Sequence, residues 1–225
     1  MKDYQENIIP PFNQNEGDNF LYENPDSKVR IIFAGNSIAK HAPRPESGWL
    51  NDCGMAASSI DKDYVHLIAK KIKEYDPNVS FGIAQVAAHE RRFFTEEPSL
   101  NYKPSHDFNA NIVIMFYGAN VSKDYDTMEN PPKTFAQGYE DMRNYLSHDG
   151  KASVFHSMGF YIRPNLDEEK KQVADKYGDP FIDISDIRSR DDSHGRFNHP
   201  SDEGMAAIAD RFWEYIEPIV KDLTK

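Results

Sequence analysis

Cysteine is almost missing from this chain: Cys53 is the only one in 225 residues. An internal disulfide is therefore excluded, and without paired cysteines or an H-E-x-x-H segment no metal site is expected. Long apolar runs are also missing, and nothing approaches the roughly 20 residues needed to span a bilayer. Positive charge is scarce, with 26 Lys and Arg against 37 Asp and Glu and a formal charge of -11. That balance argues against nucleic acid or an anionic membrane surface as a partner. The N-terminal stretch MKDYQENIIPPFNQNEGD has no basic segment followed by an apolar one, so no secretory signal is expected and the cytoplasm is the expected compartment. No Gly/Ser-rich linker, internal repeat or low-complexity tract divides the chain, which reads as one domain with a core of ordinary size. Its oligomeric state is left open, a homo-oligomer included.

What is present is an alternation. Residues 1–27 are polar, with Ile8-Ile9 and Phe20-Leu21 as apolar anchors, and are expected to pack as an extension on a domain spanning 28–225. KVRIIFAG has the length and β-branched content of a buried parallel strand. A helix is predicted over Asp61 to Tyr75, then strands over Val79 to Val86 and Ala110 to Tyr117. A helix over Thr134 to Leu146, a strand over Ala152 to Met158 and a helix over Leu166 to Lys176 follow. A short strand at Phe181 to Ile184 and a long helix over Ser201 to Leu223, with a bend anticipated at Pro218, close the chain. The fold class is α/β: a three-layer αβα open sheet of about five parallel strands, whose ligands bind beyond the C-terminal strand ends.

Three segments fall at such ends. Gly35-Asn36-Ser37-Ile38 follows the first strand in a tight turn that would expose a hydroxyl beside the N–H groups of a starting helix. Gly118-Ala119-Asn120 follows the third and offers a carboxamide donor suited to a developing oxyanion. Asn198-His199-Pro200 precedes the last helix, where proline presets the turn. Each has a plain reading by itself: a helix cap, a turn Asn, a loop His. Their conjunction points to a serine nucleophile, Ser37, activated by His199.

With these residues in place the sequence resembles the SGNH, or GDSL-type, hydrolases, in a branch whose first block reads GNSI. The likeness runs from about Lys28 to the C-terminus: GNSIAKH with Ser37, DCGMAASS with Gly54, G-x-N at Gly118 and Asn120, and NHPSDEGMAAIAD with His199. The resemblance implies a flavodoxin-like sheet and an oxyanion hole from the Ser37 and Gly54 N–H groups and the Asn120 amide. It also implies small-acyl, often acetyl, esters of carbohydrates as substrates and no metal or organic cofactor. A lipase or thioesterase role is the nearest variant. The α/β-hydrolase elbow is disfavoured because Ala39 stands where its second glycine belongs, and the Ser-x-x-Lys formed by Ser37 and Lys40 lacks its companion signatures.

The chain departs from the family pattern at three positions. Many relatives carry Asp three residues before the catalytic His, where Arg196 stands, and Asn36 and Val121 replace aspartates of the first and third blocks. The lost carboxylate would orient the imidazole. Asp192 or Asp191, or a backbone carbonyl, is expected to accept the Nδ1 proton of His199 instead. His194 is a rival base of lower rank. Arg196 also motivates a different class of function, a ligand-binding module that keeps the fold but has lost turnover. Trp49, Phe93, Phe94, Tyr117 and Phe160 could stack on sugar rings, with core packing the simpler role for most. Cys53 reads as a small buried apolar residue.

Overall fold

The computed structural model describes residues 9–225; the first eight, with Ile8 of the anticipated anchor, lie outside them. Seven strands form one mixed sheet in the order β1-β2-β4-β3-β5-β6-β7. They are β1 Gln14–Glu16, β2 Asn19–Tyr22, β3 Arg30–Gly35, β4 Ser80–Gln85, β5 Ile112–Phe116, β6 Ser153–Ser157 and β7 Phe181–Ile182. The five from β3 onward are parallel, as anticipated. The sequence reading has no strands before Lys28, yet β1 and β2 form a hairpin whose second strand pairs antiparallel with β4. Their polar, three- and four-residue segments carry too little periodicity to be recognised; pairing with a preformed edge makes them strands.

The helices are α1 Tyr64–Lys73, α2 Ala87–Arg92, α3 Lys103–Asp107, α4 Phe135–Leu146, α5 Pro164–Tyr177, α6 Ser185–Arg188 and α7 Asp202–Leu223. Successive strand residues point to opposite faces, and two cores result. Ile31, Phe33, Ile112 and Ile114 pack with Val65, Ile68, Met205, Ile208 and Phe212 of α1 and α7. Ile32, Ala34, Val113 and Met115 pack with Tyr139, Met142, Leu166 and Val173 of α4 and α5. Local signals set the helix starts: Thr134 and Gln137 form a reciprocal capping box, and Ser201 caps α7 through the Gly204 N–H. α7 runs through Pro218 to Leu223 without ending there. Among the described residues, no helix is long and apolar enough to cross a membrane.

In the parallel part the chain goes from β3 out to β4, then back across β3 to β5. The crevice between the carboxyl ends of β3 and β5 is therefore the topological switch point, where such folds bind ligands.

Candidate active site

Gly35 ends β3, and a Cβ there would meet the Ala39 Cβ at 2.5 Å, so the following turn folds back tightly over the strand end. The Asn36 carbonyl accepts from the N–H groups of Ala39 and Lys40, making one turn of chain rather than the anticipated helix. Ser37 sits half-buried on it. Its Oγ lies 2.7 Å from His199 Nε2, although 162 positions separate the two in sequence.

The His199 Nδ1 is 2.7 Å from the carbonyl oxygen of Phe197. A carbonyl only accepts, so Nδ1 carries the proton and Nε2 is left as acceptor for the Ser37 hydroxyl. Phe197 and Asn198 have φ of 59° and 57°, left-handed values that non-glycine residues adopt at a cost. This two-residue kink turns the Phe197 carbonyl back onto the imidazole. Burial pushes the proton affinity of His199 below the ordinary histidine value; the Phe197 hydrogen bond opposes this and His41 adds to it.

Neither candidate aspartate is the orienter. Asp192 is exposed and held by Arg190 through two contacts of 2.9 Å, and Asp191 lies exposed in the same short helical turn. Arg196, at the usual aspartate position, is exposed too, with its guanidinium over the Phe197 ring. His194 is bound to the Arg188 carbonyl at 2.9 Å and packs on Phe160, whereas the Ser37 hydroxyl meets His199.

The oxyanion donors divide. The Ser37 N–H makes no hydrogen bond among the described residues, while the Gly54 N–H donates to Asp63 Oδ2 at 3.1 Å. With its only proton engaged, Gly54 is not a free donor. Its use is steric: a Cβ would meet the Ile38 carbonyl oxygen at 2.5 Å, and the adjacent Met55 N–H donates to the Ser37 carbonyl at 2.8 Å. Asn120 keeps one Nδ2 proton free, the other being donated to Glu90.

Glu90 was not singled out by sequence. It is fully buried, and accepts from Asn36 Nδ2 at 3.0 Å, from the Gly118 N–H and from Asn120 Nδ2. Burial raises its proton affinity; the hydrogen bonds from Asn120, Asn36 and Gly118 pull the other way. The arrangement explains why Asn36 suits its position, since an aspartate there would set two carboxylates against each other. An acidic residue in the first turn of the short helix after the second parallel strand, VAAHERR, was the available signal. Tyr161 is a second omission: its ring stands edge-on to the His199 imidazole, centroids 6.0 Å apart.

Trp49, Phe93, Tyr117 and Phe160 are buried, so of the five aromatic candidates only Phe94 keeps partial exposure. Lys40 is buried and paired with Asp52, not with Ser37. Burial pushes the Cys53 thiol up to about 12, which leaves it protonated and inert near neutral pH. Among the described residues no three His, Cys, Asp or Glu side chains cluster as metal ligands would.

The architecture and the strand-end site define an α/β protein with the SGNH hydrolase fold. A family two carbohydrate esterase from Clostridium thermocellum, in complex with cellohexaose, superposes with a TM-score of 0.57 at 16% identity, covering 89% of this chain and 67% of that one. A carbohydrate acetylesterase from Sinorhizobium meliloti gives 0.51 at 14% identity over 83% and 99% of the two chains. The M. smegmatis aryl esterase gives 0.51 at 14% over 84% and 99%. No family model and no curated protein sequence matches the chain.

Proposed function

We propose that this protein is a serine esterase acting on small-acyl esters, with Ser37 as nucleophile and His199 as general base. The observation that carries the reading is the 2.7 Å contact between Ser37 Oγ and His199 Nε2 at the switch point of the sheet. His199 takes the hydroxyl proton as Oγ attacks the ester carbonyl, then returns it to the departing alcohol. Water, activated by the same imidazole, releases the acyl group. The Ser37 N–H and the free Asn120 Nδ2 proton stabilise the tetrahedral oxyanion.

A carbonyl in place of the orienting aspartate supports turnover rather than its loss. In the well-studied serine proteases, changing that Asp to Asn costs about 10⁴-fold because the imidazole takes the wrong tautomer. The Phe197 carbonyl holds the productive tautomer and gives up only part of the charge stabilisation. This favours the enzyme over the inactive binding module.

The acyl group is small. The cavity lined by Asn36 and Ile38, which flank Ser37 in sequence, together with Gly118, Gly159 and Phe160, is narrow and leaves no room for a long acyl chain. Half-buried Tyr161 stands beside His199, next in sequence to the exposed Ile162, as a surface for the alcohol portion, a carbohydrate in our reading. Two of the structural relatives carry carbohydrate esterase or acetylesterase names, which agrees with that choice. The lone, buried thiol is compatible with a cytoplasmic setting.

A fluorophosphonate probe followed by intact mass and peptide mapping tests the assignment. Covalent labelling at Ser37 is expected, and Ser37→Ala should abolish both labelling and hydrolysis of p-nitrophenyl acetate. Unchanged hydrolysis by that variant would refute the nucleophile. Initial rates on acetylated sugars against p-nitrophenyl esters of rising chain length should fall steeply beyond the shortest acyl groups.

A further inference from the structure

Glu90 and Arg91 are consecutive on α2, and their charged ends meet the two ends of one side chain. Glu90 Oε2 accepts from Asn120 Nδ2, and Arg91 donates to Asn120 Oδ1 at 2.8 Å. Arg91 is itself anchored by a 3.1 Å bond to the Ala87 carbonyl. The other Glu90 oxygen accepts from Asn36 Nδ2 and the Gly118 N–H, so the carboxylate ties the loop before Ser37 to the loop that carries Asn120.

A carboxamide is nearly symmetric in shape, and one held by ambivalent partners can turn over and exchange its donor and acceptor ends. Here the partners are not ambivalent. An ionised carboxylate can only accept and a guanidinium can only donate. Reversing the amide would face oxygen with oxygen on one side and N–H with N–H on the other.

We propose that Glu90 and Arg91 form a charged clamp that fixes the donor sense of Asn120, keeping its remaining Nδ2 proton on the oxyanion side of the site. Both are positioning residues, acting through Asn120 rather than on substrate. The proposal rests on the esterase reading above, and its test separates the two.

Glu90→Gln is nearly isosteric and can still accept from Asn36 and Gly118. Its new amide, however, opposes the Asn120 amide, so either the contact breaks or Asn120 turns over against Arg91. The expected result is a kcat lowered roughly 10- to 100-fold, approaching the loss of one oxyanion donor, with KM changed less than about threefold. Melting temperature should fall as well. In Glu90→Gln/Asn120→Asp the introduced amide donates to the introduced carboxylate and Arg91 donates to its other oxygen. Every clamp bond is restored while position 120 loses its donor, so melting temperature should recover and kcat should not.

Recovery of both would show that Glu90 only holds the fold, and would overturn the proposal, as would a wild-type kcat in Glu90→Gln. Should Glu90→Gln not fold, Arg91→Met and Arg91→Lys carry the test. The first should lower kcat roughly 3- to 10-fold, about the worth of one hydrogen bond, and the lysine should recover most of it because it still donates. Equal losses in the two would count against the clamp. If the wild-type protein takes no fluorophosphonate at Ser37, the esterase reading fails on its own. Melting temperatures then still decide the clamp: stability in the double variant no better than in Glu90→Gln rejects it.

Discussion

His199 has separate partners for its two ring nitrogens, and the acid limb of activity follows from them. Only neutral imidazole can take the Ser37 proton. Burial disfavours the charged ring, and the groups facing it are the Phe197 carbonyl, His41, Ser37 Oγ and the Tyr161 ring. The carbonyl pulls the proton affinity up, but burial and His41 prevail, and the net shift is downward from 6.5. A base with lowered affinity stays competent to lower pH, so kcat/KM for p-nitrophenyl acetate should fall only below pH 6.5. The same shift means the unfolded chain binds this proton first, so His199 withdraws stability as pH drops below 6.5. An acid limb centred above the ordinary histidine value would contradict the burial described here.

The aspartate question also belongs to single residues. With Asp192 exposed and tied to Arg190, Asp192→Asn should leave kcat/KM within about twofold, the usual reach of a surface change. A hundredfold loss in steady-state kinetics would reinstate it as the orienter of His199. Asn36 is a further residue-level match: its carboxamide accepts from the Ile38 N–H and donates to Glu90, two duties that no aspartate could perform together.

Among the elements, the β1–β2 hairpin has the clearest consequence. It covers the β4 edge of the sheet, pairing Asn19 through Tyr22 with Ala84 through Phe81. Leu21 is buried there, tightly enough that a Cβ on Gly82 would meet its Cδ2 at 2.5 Å. Phe12 and Phe20 pack on the α1 side of the sheet. Removing residues 1–22 would uncover an apolar parallel strand with unpaired N–H and C=O groups, a template for intermolecular pairing. Burial of Leu21 alone is worth roughly 1.5–3 kcal/mol. The truncated protein should melt lower and aggregate in light scattering at concentrations where the whole chain stays clear. Equal behaviour of both would mean that the hairpin is ornamental.

The buried Lys170 and Asp167 of α5 and the half-buried Arg188 of α6 form an ion network that also holds the Gly159 N–H. Charges this deeply placed are costly unless each has its partners, and here each does. The network anchors the loop after β6 that carries Tyr161 to His199, so a third strand end contributes to the site.

On the scale of the whole molecule, periodicity and turn chemistry were enough to read the parallel strands, α1, α4, α5 and α7, because these signals come from residues near one another in the chain. Val113 and Met115 alternate with Ile112 and Ile114 between two faces, and Thr134 with Gln137 announces a helix within four residues. Ser37, His199 and Asn120 could be chosen in advance because each stands at the end of a recognisable strand or beside a helix start. The hairpin, the Phe197 carbonyl and Glu90 could not. Glu90 gains its meaning from partners 54, 28 and 30 positions away, and the Phe197 carbonyl from two left-handed residues that no local composition demands. Gly54 shows the same limit in reverse: a glycine at the expected block keeps its steric part, but Asp63, nine residues on, takes the proton it was expected to offer. The sequence by itself determined the layered sheet, since neighbours in the chain encode it, and marked Ser37 and His199 as the candidate pair that the fold then brings within 2.7 Å. Tertiary structure decided which hydrogen-bonding groups remain free to act, because a donor or acceptor is claimed by whatever the fold brings within about 3 Å of it.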